Sequence, residues 1–193
     1  MSDTSTTPRR IGFLADTHSA KADGSDLPDQ VLDAFAGVDL IVHLGDIGRK
    51  AILDRLSGVA PVWVPGERDK GYVPWQPAVG PDPSATPVKV VEADGTSVGM
   101  VFNLAKPDKK IVVGEQVDFP DEPLAGLLQR RFKRPVAAVA FGGTHRQIEQ
   151  RHEDVLFFNP GSPNLPVPDT PAGVAVLNLT GGTPRVELIT ISP

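Results

Sequence analysis

The sequence predicts an α/β fold in which two β-sheets pack face to face and helices cover their outer sides. The first half of the chain alternates short apolar runs with helical segments, a pattern typical of parallel strands joined by right-handed crossovers. The second half is rich in strand and hairpin signals. Hydrophobic residues make up 40% of the 193 residues, which suits the core of one domain of ordinary size.

The first half supplies three predicted strands and two predicted helices. The opening run RRIGFLAD is apolar and ends in polar residues, as a buried strand does. The next segment places Val31, Leu32 and Phe35 on one helical face, and Gly37 suits its end. In chain order, the predicted elements are a strand over 9–16, a helix over 27–37, a strand over 39–44, a helix over 50–56 and a strand over 61–64.

Strand signals dominate the second half. The pair Asp94-Gly95 separates two apolar runs, which is a hairpin signal, and VAAVAF is typical of another buried strand. The predicted elements are strands over 88–93 and 97–102, a helix over 121–133, and strands over 136–141, 147–151, 155–158, 173–179 and 185–191.

Two segments are expected to lie outside this regular core. Residues 1–8 are predicted to form a disordered tail, which leaves 9–193 as a single domain. Residues 71–87 are rich in proline and lack periodicity, so we expect a long inserted loop. The loop could be a mere linker, or Tyr72 and Trp75 could pack and offer an apolar contact surface.

Composition argues against several classes of protein. The chain has no cysteine, which excludes disulfides and thiolate metal sites. The net charge of −5 argues against bulk electrostatic binding to nucleic acid or acidic membranes. The sequence also lacks an apolar run near the roughly 20 residues that span a bilayer, and its start lacks the apolar segment of a secretory signal. We therefore expect a cytoplasmic protein that binds neither nucleic acid nor membranes.

Polar residues gather where predicted strands end. Asp16 and His18 follow the first strand, Asp46 follows the second, and His145 follows VAAVAF. Ligands of α/β sheets bind at the carboxyl ends of the strands. Asp16 and His18 are two residues apart, so on an extended chain both side chains point to one side. Carboxylate and imidazole ligands suit Mn, Fe, Zn or Ni, and the sequence therefore predicts a divalent metal site.

The motifs FLADTH, HLGD, VPGERD, FGGTHRQ and NPGS occur in this order along the chain. In these motifs and their spacing, from about residue 11 to residue 191, the sequence resembles the calcineurin-like metallophosphoesterases. The resemblance is to the small bacterial and archaeal phosphodiesterase branch, which includes the retromer subunit Vps29. It implies a four-layer αββα sandwich of two mixed β-sheets flanked by helices. It also implies hydrolysis of phosphate esters at a centre that holds two metal ions.

The resemblance assigns the first metal site to Asp16, His18, Asp46 and His145, and all four residues are present. In the family the aspartate at the position of Asp46 bridges to a second ion. These four residues, together with Arg68, are the predicted catalytic residues.

The second metal site departs from the family pattern. The asparagine of the family stands at Glu67 here, and its two remaining histidines stand at Leu104 and Gly143. Leucine and glycine side chains cannot coordinate a cation, and Glu67 with Asp46 makes a poor cage. We therefore predict one divalent ion per chain, held by the first site, with Glu67 as a further ligand or as a salt-bridge residue.

Two basic residues lie close in the sequence to the altered positions. Arg68 stands where related phosphatases place a catalytic histidine, and Lys106 follows Leu104 closely. The hypothesis is that Glu67 pairs with one of these cations, which then partly replaces the second ion by holding a phosphate oxygen. The alternative is that Arg68 is a solvated surface charge.

Two classes of function follow from these patterns. The first is a metal-dependent phosphoesterase of weak activity, acting on phosphate mono- or diesters and favouring activated diesters. The second is a non-catalytic scaffold like Vps29, which would bind a protein partner or a second copy of the chain through the 71–87 loop. A metal-dependent sensor of a phosphorylated ligand, including phosphate itself, is a third and weaker alternative.

Three further features have predicted supporting roles. His43 lies in the strand that leads to Asp46, where it is either a packed histidine or a support for the metal ligands. His152 is expected at the surface of a hairpin. The NPGS segment, 159–162, is expected to shape a turn near the site, and its backbone could also form an anion-binding nest.

Overall fold

The structure is a computed structural model that describes residues 8–65, 90–93, 95–106 and 110–192. The strands are β1 Arg10–Leu14, β2 Leu40–His43, β3 Val62–Trp63, β4 Val90–Ala93, β5 Thr96–Val101, β6 Val112–Val113, β7 Val117–Asp118, β8 Ala138–Phe141, β9 Gln147–His152, β10 Val155–Pro160, β11 Ala172–Asn178 and β12 Arg185–Ile191. The helices are α1 Asp29–Ala34, α2 Ala51–Ser57 and α3 Leu124–Phe132. Residues 1–7 and the 71–87 loop lie outside the described residues, so the predictions for them, and the domain bounds, stay predictions.

The first sheet has the strand order β12-β11-β1-β2-β3. β1, β2 and β3 are parallel, with Phe13 opposite Val42, and α1 and α2 provide the connections between them. β11 and β12 add an antiparallel extension beside β1. The parallel pairing predicted from the alternation of strands and helices is therefore correct, and it places the carboxyl ends of β1 and β2 side by side.

The second sheet has the strand order β4-β5-β8-β10-β9. β5, β8 and β10 are parallel, whereas the edge strands β4 and β9 are antiparallel to their neighbours. β6 and β7 form a separate two-stranded hairpin that the sequence analysis missed. Both large sheets are thus mixed, as expected.

The main core lies between the two sheets. Every second residue along β1 faces this interior, and the pattern continues just past the strand. The residues concerned, all fully buried, are Ile11, Phe13 and Ala15. The ring of Phe13 meets the ring of Phe158 edge-on, with centroids 5.0 Å apart and an interplanar angle of 84°. This packing fixes the two sheets face to face.

Helices cover the outer face of each sheet. α1 and α2 pack on the first sheet through a cluster that includes Phe35, and α3 packs on the second through a cluster that includes Phe132. Each phenylalanine lies against a glycine of a strand, since an added Cβ would lie 2.7 Å from the Phe35 ring at Gly12 and 2.6 Å from the Phe132 ring at Gly99. The four layers follow the order predicted for an αββα sandwich, and that prediction is confirmed.

The first strand and the first helix are shorter than predicted at their ends. The strand predicted over 9–16 stops at Leu14, because Asp16 has a φ of 53° and cannot continue an extended strand. The helix predicted over 27–37 stops at Ala34, and Gly37 follows in a turn with a φ of 73°. Within the parts of the chain described, none of the helices has the length and apolar character needed to cross a bilayer.

Candidate metal centre

The candidate site lies where strands of both sheets end. Asp16 and His18 follow β1, Asp46 follows β2, and His145 follows β8 of the second sheet. The loops after β1 and β2 run together, since the N–H of Asp16 donates to the Gly45 carbonyl at 2.9 Å and that of His18 donates to the Asp46 carbonyl at 2.9 Å. The topology therefore gathers residues that are far apart in the sequence.

The structure brings the four predicted residues of the first metal site together. One ligand atom each of Asp16, His18 and His145 lies within 4.8 Å of the others. The Nε2 atoms of His18 and His145 are 3.3 Å apart, and Nε2 of His145 is 3.7 Å from Oδ1 of Asp16. Oδ2 of Asp46 lies 3.9 Å from Nε2 of His18. The ligand atoms of Asp16, His18 and His145 thus converge, and the Asp46 carboxylate lies beside His18.

All four of these residues have a left-handed backbone. The φ angles are 53° at Asp16, 44° at His18, 54° at Asp46 and 57° at His145. A left-handed conformation costs an L-residue about 1–2 kcal/mol, and such strain clusters at functional sites. Elsewhere among the described residues, the non-glycine residues with a positive φ are Lys133, Glu153 and Asp169. The fold therefore accepts strain at each of these four residues, a feature that no sequence pattern indicated.

The Asp16 carboxylate is fully buried and only half satisfied. Its Oδ2 accepts a hydrogen bond from the Gly143 N–H at 2.8 Å, whereas its Oδ1 has no hydrogen-bond partner. Burial raises the pKa of Asp16 to about 6, and the Gly143 N–H and His145 oppose this rise. A buried carboxylate oxygen without a partner is unfavourable. A divalent cation beside Oδ1 would supply the missing partner, so the residues present fit a metal ion.

The orientation of the His145 ring suits a metal ligand. Its Nδ1–H donates to the Leu165 carbonyl at 2.6 Å, which leaves the lone pair of Nε2 directed at Asp16 and His18. Metal-binding histidines characteristically donate their other ring N–H to a carbonyl or a carboxylate in this way. The backbone of residue 165 therefore fixes the tautomer that ligation requires.

His43 supports the loops that carry the ligands. It is fully buried, and the Gly45 N–H donates to its Nδ1 at 3.2 Å. Its Nε2–H therefore donates to Oγ1 of Thr17 at 2.9 Å, and the Thr17 hydroxyl donates in turn to the Ile47 carbonyl at 2.8 Å. Burial lowers the pKa of His43 to about 3, so the ring is neutral at physiological pH. Of the two roles left open for His43, the structure shows hydrogen bonding that joins the two ligand loops.

The NPGS segment holds the site from the other side. The Ser162 hydroxyl donates to the Asp16 carbonyl at 2.7 Å and accepts from the Leu165 N–H at 2.8 Å. Nδ2 of Asn159 donates to Oγ1 of Thr144 at 2.9 Å, and Nδ2 of Asn164 donates to the Thr17 carbonyl at 2.9 Å. The expected turn is present, and the side chains of Asn159 and Ser162, with Asn164 beyond the segment, connect the loops that carry Asp16 and His145. The sequence analysis missed these contacts.

The positions predicted for a second ion offer few ligands among the described residues. Leu104 is 2% exposed and packs in the outer core of the second sheet. Gly143 contributes only its backbone, which binds Asp16. Lys106 is exposed, and Glu67 and Arg68 lie outside the residues that the structure describes. The proposed pairing of Glu67 with Arg68 or Lys106 therefore stays a prediction.

His152 is not a simple surface residue. It is partly buried, and its ring stacks on Phe119 with centroids 4.1 Å apart and an interplanar angle of 8°. This contact ties β9 to the segment that follows β7. His152 lies in the β9–β10 hairpin, as expected, but the Phe119 ring covers part of its surface.

The fold and the geometry of the candidate metal centre agree with the comparison with known proteins. Residues 10–182 match the family model described as "Calcineurin-like phosphoesterase superfamily domain". The chain belongs to this superfamily. It is 29% identical over 180 residues to a probable metallophosphoesterase of Methanothermobacter thermautotrophicus, an alignment that covers 93% of this chain and 91% of the relative.

Solved structures show the same fold at low sequence identity. Vps29 of Chaetomium thermophilum in complex with a cyclic peptide is 17% identical, with a TM-score of 0.61 and coverage of 95% of this chain and 96% of the other. Wild-type Vps29 of Entamoeba histolytica in complex with zinc is 16% identical, with a TM-score of 0.56 and coverage of 94% and 98%. These likenesses show a Vps29-like fold, as the sequence motifs predicted.

Proposed function

We propose that the protein hydrolyses phosphate esters with a single divalent cation held by Asp16, His18, Asp46 and His145. The observation that carries this proposal is the buried Oδ1 of Asp16, which has no hydrogen-bond partner and faces two imidazoles within 4.8 Å. Oxygen and nitrogen ligands of this kind suit Mn, Fe, Zn or Ni. Membership of the calcineurin-like superfamily supports the same chemistry.

A bound divalent cation supplies Lewis-acid stabilisation of the charge that develops on a phosphoryl oxygen. The protein's own residues place the ligand atoms and fix the tautomer of His145. Asp16 would hold the ion through Oδ1, while the Gly143 N–H keeps Oδ2 in place. His145 offers Nε2 because its Nδ1 proton is committed to Leu165. Asp46 and His18 complete the ligand set from neighbouring loops.

Arg68 remains the proposed phosphate-binding cation. With one ion rather than two, negative charge on the phosphoryl group is less well balanced, and a guanidinium can hold two of its oxygens at once. We therefore expect weak hydrolysis, fastest with activated diesters whose leaving group needs little help.

The test joins metal counting to catalysis in the full chain. Elemental analysis of the purified protein should find about one divalent ion per chain, and the Mn-loaded protein should hydrolyse bis(p-nitrophenyl) phosphate slowly. Asp16→Asn should lose both the ion and the activity, whereas Asp33→Asn, an exposed aspartate on α1, should keep both. Loading with an ion but no hydrolysis above that of Asp16→Asn would refute the proposal.

The alternative of an interaction module stays open to the same test. The Vps29 structures allow a non-catalytic role, but at 17% identity they show the fold alone. A chain that binds no ion at Asp16 and His145 would support the scaffold, in which case the 71–87 loop is the proposed contact surface for a protein partner or a second copy of the chain.

A further inference from the structure

A pocket of about 160 Å³ lies directly beside the candidate metal centre. Three segments line it: the turn formed by residues 103–105 after β5, Val113 of β6, and residues 141–144 after β8. Residues 141–144 include the loop that leads to His145. Val113 belongs to the β6–β7 hairpin, which the sequence did not predict.

Two glycines form a wall shared by the pocket and the metal centre. The N–H of Gly143 donates to Oδ2 of Asp16 at 2.8 Å, and an added Cβ on Gly142 would lie 3.0 Å from the Cβ of Ala15. A group bound in the pocket would thus be separated from the Asp16 carboxylate by backbone alone. A ligand that places an anionic group at the metal centre would reach this space over Gly143, which is exposed.

The lining mixes apolar and polar groups in similar measure. Leu104 is 2% exposed and Phe141 is fully buried, and both belong to the apolar cluster beneath α3. Asn103 and Thr144 add an amide and a hydroxyl to the wall. An apolar cavity of about 150 Å³ can hold a benzene molecule, so this pocket has the size of one six-membered ring.

The wall formed by Val113 is held in place by the adjoining β9. The side chain of Gln150 accepts from the Val117 N–H at 2.8 Å and donates to the Val117 carbonyl at 2.9 Å. Arg146 pairs with Glu115 at 3.5 Å, which ties the same hairpin to the residue that follows His145. The pocket is therefore bounded on this side by an anchored hairpin, in keeping with a preformed ligand site.

We propose that this pocket is the subsite for the organic group of the ester, and that the protein prefers phosphate esters whose alcohol is a single ring with a polar edge. The inference rests on the proposed function, because the phosphoryl group would occupy the adjacent metal centre. Val113 and Ala105, which are partly exposed, would contact the ring, while Asn103 and Thr144 would meet its polar edge. The pocket thus supplies substrate selectivity that the metal ligands do not provide.

Calorimetric titration of the Mn-loaded full chain with phenylphosphonate and methylphosphonate tests the subsite without requiring turnover. Phenylphosphonate should bind at least about tenfold more tightly, since filling an apolar pocket typically gives that much discrimination. Val113→Phe should remove most of this preference by filling the pocket. Val112→Phe is the matched control, because Val112 lies on the same strand, is 58% exposed and does not line the pocket, so it should keep the preference.

A second variant excludes the explanation that Val113→Phe acts by disrupting the β6–β7 hairpin. Ala105→Phe fills the pocket from the opposite wall and should also remove the preference. Equal affinities of the wild-type protein for the two phosphonates, or a preference that survives in both filled variants, would overturn the subsite. Hydrolysis of a diester without any phenyl preference would overturn the subsite alone, whereas a phenyl preference without hydrolysis would overturn the proposed function alone.

Discussion

The Nδ1–H of His145 donates to the backbone carbonyl of Leu165 at 2.6 Å, and this contact fixes which nitrogen faces the metal centre. Leu165 is itself 51% exposed, so its side chain does not hold the carbonyl in place. Its backbone is held by Ser162, whose hydroxyl accepts from the Leu165 N–H and donates to the Asp16 carbonyl. One buried serine thus aligns two ligands from opposite sheets.

Ser162→Ala should weaken metal binding without removing any ligand. Loss of the hydroxyl frees the Leu165 N–H and the Asp16 carbonyl, so the ring of His145 and the Asp16 loop lose their alignment. Outer residues of this kind change metal affinity by 10- to 100-fold, and we expect about a tenfold loss. Titration with Mn²⁺ measures it. Ser57→Ala, which removes an exposed hydroxyl on α2, should bind the ion like the wild type.

His145→Ala should weaken metal binding more than Ser162→Ala does, because it removes a ligand rather than its support. Competition with a chelator of known affinity gives the dissociation constant of each variant. His152→Ala is the matched control, since His152 stacks on Phe119 away from the ligand cluster and its loss should leave the affinity unchanged. A His145→Ala protein that binds Mn²⁺ as tightly as the wild type would remove His145 from the proposed ligand set.

Much of the fold and the convergence of the ligands could be predicted from the sequence. The alternation of apolar strands and helices identified the parallel core of β1, β2 and β3, and polar residues that follow such strands must meet at one edge. The hairpin of β6 and β7 could not be found in this way. Its strands have two residues each, too few for a period, and the side chain of Gln150 rather than a pattern holds it.

The supporting contacts of the site also escaped prediction, because they join residues that are distant in the sequence. Ser162 meets the carbonyl of Asp16 across 146 positions, and Gly143 meets its carboxylate across 127. The left-handed backbone at Asp16 could not be predicted either, because the residue there is not a glycine. Such features arise only once both sheets are packed.

Gly143→Ala should destabilise the fold and weaken metal binding together. Gly143 has a φ of 80°, which costs an alanine about 1 kcal/mol, and an added Cβ would lie 3.3 Å from the Phe102 carbonyl. The strain would also shift the N–H that holds Asp16. Gly181→Ala is matched in φ, at 85°, with open space around it. In urea unfolding both variants should lose stability, but in Mn²⁺ titration only Gly143→Ala should lose affinity.

Gly12→Ala should destabilise the layer between α1 and the first sheet. The added methyl would lie 2.7 Å from the buried ring of Phe35, and such overpacking costs about 1–3 kcal/mol. Gly114→Ala, where an added Cβ meets nothing within 4 Å, should change the free energy of unfolding little. Chemical denaturation of both variants decides the point. Equal stabilities would show that Phe35 can move aside at no cost.

The buried, neutral His43 should make the fold less stable as the pH falls. Burial lowers its folded-state pKa from 6.5 to about 3, so below pH 6.5 the unfolded chain takes up a proton that the folded chain refuses. Between about pH 7.5 and pH 5.5 this linkage should remove about 1.4 kcal/mol of stability, with further loss down to the folded-state pKa. Urea unfolding of the metal-free protein at both pH values measures the loss.

The control variant is His43→Gln, whose side chain cannot titrate. It should lose about 1.4 kcal/mol less stability than the wild type over the same pH interval. The contributions of other groups, including the raised pKa of Asp16, cancel in this comparison. Identical losses in the two proteins would mean that the His43 ring accepts a proton in the folded state and that the Gly45–His43–Thr17 hydrogen bonds rearrange to allow it.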